Sequence, residues 1–189
     1  MNKTKNYAKK GYLYYKKGNY DLAINSYEEA IAGNPDSDSS YYNLANSYAC
    51  KGMINPAIKN YKKAVSINPE NAAAYNNMGL IYYNSGNFDL ARENYVKAIK
   101  VNSNYYQAYS NLGELYLNLG EYGLAAQNFK KALSINPEYS YTYSALGLMY
   151  FKRGNPELAY ENYKKALSIN PDCADTNFYM ANLYKKNNE

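Results

Sequence analysis

Residues 72–85 read AAAYNNMGLIYYNS, with aromatic, apolar or glycine positions at Tyr75, Met78, Gly79 and Tyr82. Steps of three and four place these on one face, which predicts an amphipathic helix. Gly86-Asn87 interrupts the pattern, and FDLARENYVKAIKV resumes it at Ala91, Tyr95, Ala98 and Ile99. The small residues Gly79 and Ala91 let the two helices approach closely. Where an Asn-Pro pair follows a second helix it ends it, because the residue before proline is pushed out of the helical region. The predicted unit is a helical hairpin.

The hairpin recurs every 34 residues. Prolines keep this step at Pro35, Pro69, Pro137 and Pro171, with Ser103 in the remaining slot, and glycines keep it at Gly18, Gly52, Gly86, Gly120 and Gly154. Alanines do so in two columns, Ala23 to Ala159 and Ala30 to Ala166. Tyrosines form one column from Tyr7 to Tyr143 and a second from Tyr14 to Tyr184. A third aromatic column runs Tyr27, Tyr61, Tyr95, Phe129, Tyr163. A fixed period of this length marks a stacked-repeat architecture.

These residues resemble the tetratricopeptide repeat. The family pattern of aromatic, Leu, Gly, Tyr, Ala, Phe/Tyr, Ala, Pro is met at Tyr109, Leu112, Gly113, Tyr116, Ala125, Phe129, Ala132 and Pro137, with Tyr in place of the usual first Trp. The resemblance implies an all-α, right-handed superhelical solenoid. Five 34-residue hairpins at 4–37, 38–71, 72–105, 106–139 and 140–173 precede a capping helix at 174–189, in one domain spanning 1–189. Lys10 and Gly33 replace apolar residues in the first unit, as a water-facing terminal repeat requires. Pro56 and Pro156 fall in first turns, where a missing N–H does no harm.

Composition narrows the chemistry. The 189 residues include 27 tyrosines but no tryptophan and no histidine, so the commonest general base and metal ligand are missing. No phosphate loop, nucleophile elbow or acidic pair is legible, so neither catalysis nor a cofactor or metal is expected. Cys50 and Cys173 belong to distant units and read as unpaired structural thiols. A net charge of +5 without a basic stripe argues against nucleic acid. The pairs Lys62-Lys63, Lys130-Lys131 and Lys164-Lys165 read as a solvated face. Fifteen of the tyrosines lie in the three columns and read as hairpin core rather than a base-stacking platform. With no membrane-length apolar run and no leader-like apolar core, the expected setting is the cytosol.

Partners are therefore expected to be proteins or peptides. In the family, first helices line a concave groove that receives peptides. On that resemblance Asn43, Asn77 and Asn111 form a column of carboxamides able to pair with a peptide backbone, with Lys9 in unit one and Ala145 in unit five. The alternative is compositional: asparagine is abundant and also recurs at Asn60, Asn94, Asn128 and Asn162, where no groove is expected. Asn34, Asn68, Asn102, Asn136 and Asn170 read as turn residues. Asn76 sits at the groove edge beside Tyr42 and Ser110, and the exposed changes Asn43→Ala, Asn77→Ala and Asn111→Ala are expected to be neutral or slightly stabilising.

The same register adds Lys5, Tyr12 and Lys16, then Asn46 and Cys50, then Leu80, Tyr83 and Asn84. Glu114, Leu117 and Asn118 follow, then Tyr141, Leu148, Phe151 and Lys152. Such a groove is basic at its start, amide-rich in the middle and apolar toward its end. The family's carboxylate clamp is broken, with Tyr42 at a lysine position and Gln107 and Asn111 in place of two cations. Two further readings stay open: self-association through the terminal helix faces, and a regulatory module of a larger enzyme.

Overall fold

The structure is a computed structural model describing residues 3–187, with side chains from Asn6 to Lys185. Among the described residues there are eleven helices and no strands. The chain forms two compact units, residues 1–102 and 103–189. The first holds α1 (Lys3–Lys16), α2 (Tyr20–Gly33), α3 (Asp38–Cys50), α4 (Ile54–Ile67), α5 (Ala72–Asn84) and α6 (Phe88–Val101). The second holds α7 (Tyr106–Asn118), α8 (Tyr122–Ile135), α9 (Ser140–Lys152), α10 (Pro156–Ile169) and α11 (Ala174–Asn187). The helices pair as the five expected hairpins, with α11 following the last.

Each hairpin closes around one ring. Tyr27, Tyr61, Tyr95, Phe129 and Tyr163 are at most 1% exposed, and each stands between two fully enclosed alanines of its own helix. The ring presses on the preceding helix where the sequence supplies almost no side chain. A Cβ built on Gly79 would lie 2.6 Å from the Tyr95 ring, and one on Gly113 would lie 2.7 Å from Phe129. The second hairpin carries Ala45 at this place. Burying such a ring removes on the order of 150–250 Å² from water, which at about 25 cal/mol per Å² stabilises by several kcal/mol.

Within each unit the following hairpin or helix completes the core of the one before it. Leu44 joins Ala23, Ile24 and Tyr27, while Met78 and Ile81 join Ala57 and Tyr61. In the second unit Ala145 and Met149 join Ala125 and Phe129, and Leu183 of α11 joins Ala159 and Tyr163. Hydroxyl pairs add a polar stitch there. Ser110 bonds Thr142 at 2.8 Å, and Thr176 donates to Ser144 at 2.9 Å, all four side chains buried. These pairs satisfy polar groups that would otherwise be costly to bury.

The turns between paired helices are set by backbone. Gly86 has φ of 74°, the left-handed region glycine enters without steric cost, and the other four turn glycines lie between 72° and 76°. The Asn87 N–H then reaches the Tyr82 carbonyl at 2.9 Å and the Gly86 N–H reaches Tyr83 at 3.0 Å, which together make a Schellman cap. Asn34, Asn68, Asn102, Asn136 and Asn170 are the C-cap residues expected as turns. Pro156 opens α10, and Pro56 is in the first turn of α4.

One sequence expectation needs correction. Only the third aromatic column is true core. The first two are half-buried along most of their length, and Tyr184 is 52% exposed, because those rings lie over the seams between hairpins. The second-helix asparagines have a local role: Asn60, Asn94, Asn128 and Asn162 each donate to the carbonyl four residues earlier, at 2.8–2.9 Å. That bond accounts for their recurrence.

Gly113→Val should be costly. Overpacking against Phe129 costs about 1–3 kcal/mol, more than the helix propensity gained on replacing glycine, a few tenths of a kcal/mol for Val. The expected outcome is a melting temperature lower by several degrees, read by circular dichroism. An unchanged melt would show that the ring yields freely.

Candidate functional site

In the first unit the first-helix face carries Lys9, Tyr12 and Lys16 on α1, all exposed. Lys5 falls outside the residues with described side chains. On α3, Tyr42, Asn43 and Asn46 are half-buried, and on α5 Asn77 and Tyr83 are half-buried while Leu80 is 41% exposed. Asn76 is buried at 6% exposure rather than lying open at a groove edge.

The amide of Asn77 is engaged inside this unit. Its Nδ2 donates to Asn46 Oδ1 at 3.0 Å, to the Tyr61 hydroxyl at 3.3 Å and to the Tyr42 hydroxyl at 3.4 Å. Its Oδ1 accepts from Asn76 Nδ2 at 3.3 Å, and Tyr61 donates its own proton to Asn46 Oδ1. Burial pushes the Tyr61 hydroxyl well above the ordinary tyrosine pKa, and the Asn77 N–H opposes that rise. Asn77 is thus part of a knot linking α3, α4 and α5, so the premise of a neutral Asn→Ala change fails at this position. The missing element in the sequence reading was Tyr61, whose ring is core but whose hydroxyl surfaces beside the asparagines.

Beyond this knot, the Tyr15 hydroxyl lies 3.5 Å from Cys50 Sγ, and the Tyr15 ring packs on Tyr20 with centroids 5.7 Å apart. Tyr83 repeats that contact on Phe88 at 5.8 Å. Cys50 is an exposed free thiol and Cys173 a half-buried one. Among the described residues no His/Cys/Asp/Glu group could hold a metal ion. On the other side of α3, a hollow of about 990 Å³ lies among Glu28, Tyr41, Tyr48, Lys59, Lys62 and Lys63. One of the predicted lysine pairs therefore flanks a depression, with Lys63 Nζ 5.8 Å from the Tyr41 ring centre.

The second unit presents a smaller and more enclosed feature. A pocket of about 110 Å³ opens among α7, α9 and α11. Leu117, Ala145, Leu148 and the rings of Tyr141 and Tyr179 form its walls, with Glu114, Cys173 and Asp175 at the polar edge. Glu114 accepts a hydrogen bond from the Tyr141 hydroxyl. Burial raises the Glu114 pKa above the ordinary carboxylate value, and the Tyr141 hydrogen bond pulls the other way. Asn111 and Phe151 of this face are half-buried. Tyr179 and Asp175 were missed by sequence reasoning, yet both stand on its register: Tyr179 is one period after Ala145, and Asp175 one period after Tyr141.

Comparison with known proteins agrees with the period. A family described as TPR repeat matches residues 11–52 and 46–86, and tetratricopeptide-repeat models match 70–138 and 140–173. No curated protein matches the chain at a significant level. Among solved structures, MamA is 30% identical over 87% of this chain and 96% of that one, with a TM-score of 0.71. TTC0263, a thermophilic TPR protein of Thermus thermophilus, is 27% identical over 96% and 98%, with a TM-score of 0.78. YrrB, a TPR protein with an unusual peptide-binding site, is 23% identical over 91% and 89%, at a TM-score of 0.66.

Asn77→Ala should lower stability by about 1–3 kcal/mol, since it removes the amide that bridges Asn46, Tyr61 and Tyr42 and leaves Tyr61 and Asn46 only their bond to each other. The melting temperature should fall by several degrees, with Asn43→Ala as the near-neutral comparison. Equal melts for the two variants would dismiss the knot.

Glu114 predicts an opposite, pH-dependent effect. Its raised pKa means the folded chain binds this proton more tightly than the unfolded chain. Its contribution to stability therefore falls as pH rises from the ordinary carboxylate pKa to the raised one. Glu114→Gln keeps an acceptor for Tyr141 and should raise the melting temperature near pH 7. That gain should vanish below the ordinary carboxylate range, and a gain independent of pH would contradict the assignment.

Proposed function

Since the chain belongs to the tetratricopeptide-repeat family, we propose that it is a non-catalytic interaction module holding a peptide or partner segment against its first helices. Proteins of this fold are typically scaffolds for other proteins. The observation that carries the reading is the pocket of the second unit, apolar in its walls with a few converging polar groups, the usual make-up of a recognition site. The peptide site of YrrB is a parallel from the same fold. In the second unit Leu148 and Phe151 supply apolar contact and Asn111 polar contact; in the first, Leu80 supplies apolar contact, Asn43 polar contact, and Lys9, Tyr12 and Lys16 a basic, partly aromatic surface. Asn77 serves mainly to fix its neighbours.

The rival reading is self-association. It rests on exposed aromatic surface at α11, where Phe178 is 63% and Tyr184 52% exposed. No helix among the described residues is long and apolar enough to cross a membrane, so that surface does not belong to a spanning helix.

An array of short peptides separates the two. The native chain should retain a subset, and Leu148→Ala should weaken that retention about tenfold by stripping an apolar wall. Light scattering across a concentration series should show constant mass. Retention of no peptide, together with mass rising with concentration, would replace the groove reading with self-association.

A further inference from the structure

The pocket of the second unit contains a carboxylate whose burial its own surroundings do not compensate. Glu114 is on α7, half-buried and hydrogen-bonded by Tyr141, and the pocket residues from α9 and α11 are apolar, aromatic or acidic apart from Ser144, whose hydroxyl is engaged by Thr176. The ion pairs of the described residues are Lys51–Asp21, Arg92–Asp89 and Lys97–Glu93, so no lysine or arginine side chain among them pairs with Glu114 or Asp175. Removing a carboxylate from water without a cation is expensive, and perturbed acids in clefts are concentrated at functional sites.

Size and wall chemistry indicate the guest. About 110 Å³ is well below the roughly 300–1,000 Å³ of a small-molecule or cofactor site. It suits a single side chain. Leu117, Ala145 and Leu148 would cover an aliphatic stem, while the Tyr141 and Tyr179 rings and two carboxylates face its end. Long side chains with an apolar stem and a polar tip are lysine and arginine when the tip is positive, and the pocket's negative edge selects that sign.

We propose that this pocket receives a lysine or arginine side chain of the bound peptide, with Glu114 and Asp175 as its counter-charges. This rests on the groove reading above and adds the chemistry of one subsite. A bound segment then carries an apolar-flanked basic residue over α7, α9 and α11.

The test uses the full chain and N-acetylated heptapeptide pools that differ at a fixed central residue: lysine, arginine, norleucine or glutamate. The lysine or arginine pool should be retained roughly fivefold or more over norleucine, and glutamate least. Glu114→Gln and Asp175→Asn should each reduce that ratio, while Lys130→Ala, exposed on α8 and outside the groove, leaves it unchanged; melts confirm that all variants are folded. Norleucine retained as well as lysine would overturn the subsite while leaving the groove reading intact. A cation preference surviving both carboxylate substitutions would also overturn it. Retention of no pool would overturn both readings. A norleucine pool with a free α-amine held as tightly as lysine would assign the pocket to a chain terminus, against the proposal.

Discussion

A ring resting on bare backbone organises this protein. In four hairpins the central aromatic side chain lies so close to a glycine that even a methyl group would intrude, with closest approaches of 2.5–2.8 Å. This contact sets how near the paired helices lie and how deep the ring sits. It also fixes which residues of the next hairpin can reach the remaining gap, and so the alanine columns are as invariant along the chain as the ring. Interiors packed this tightly transmit small volume changes, which is why a repeated unit can vary widely outside these positions and hardly at all within them.

The second hairpin shows what happens when the contact is relaxed by one carbon. Ala45 replaces glycine there, and the hydroxyl of Tyr61 joins Asn46, Asn77 and Tyr42 in a shared set of hydrogen bonds. In the first hairpin the Tyr27 hydroxyl is buried with no hydrogen-bond partner among the described residues, and burial pushes it up to about 12. The same residue type in the same column therefore anchors a polar network in one unit and is a tolerated mismatch in another.

Hairpin boundaries, turn glycines and the ring column were legible because each is imposed by backbone geometry at a fixed period. Gly86 must be glycine-like, and Gly79 must be small, whatever the surroundings. The site was only partly legible. Register alone named Glu114, Leu117, Tyr141 and Leu148, which the fold gathers at one pocket, but it did not carry the count through to Asp175 and Tyr179 on α11. The asparagine column shows a different limit: the hydrogen bonds of Asn77 depend on Tyr61, whose periodicity marks it as core and conceals its polar end.

The buried hydroxyl pairs give the second unit a rule for succession. Ser110 meets Thr142, and Ser144 meets Thr176, so each first helix offers a serine to the threonine of the helix after it. One period beyond Ser144 stands Phe178, 63% exposed. Any helix laid against that side of α11 would find an aromatic plate where its predecessors found a hydroxyl socket. Succession by the same stitch ends at α11, and a neighbour arriving there would have to speak an apolar dialect instead.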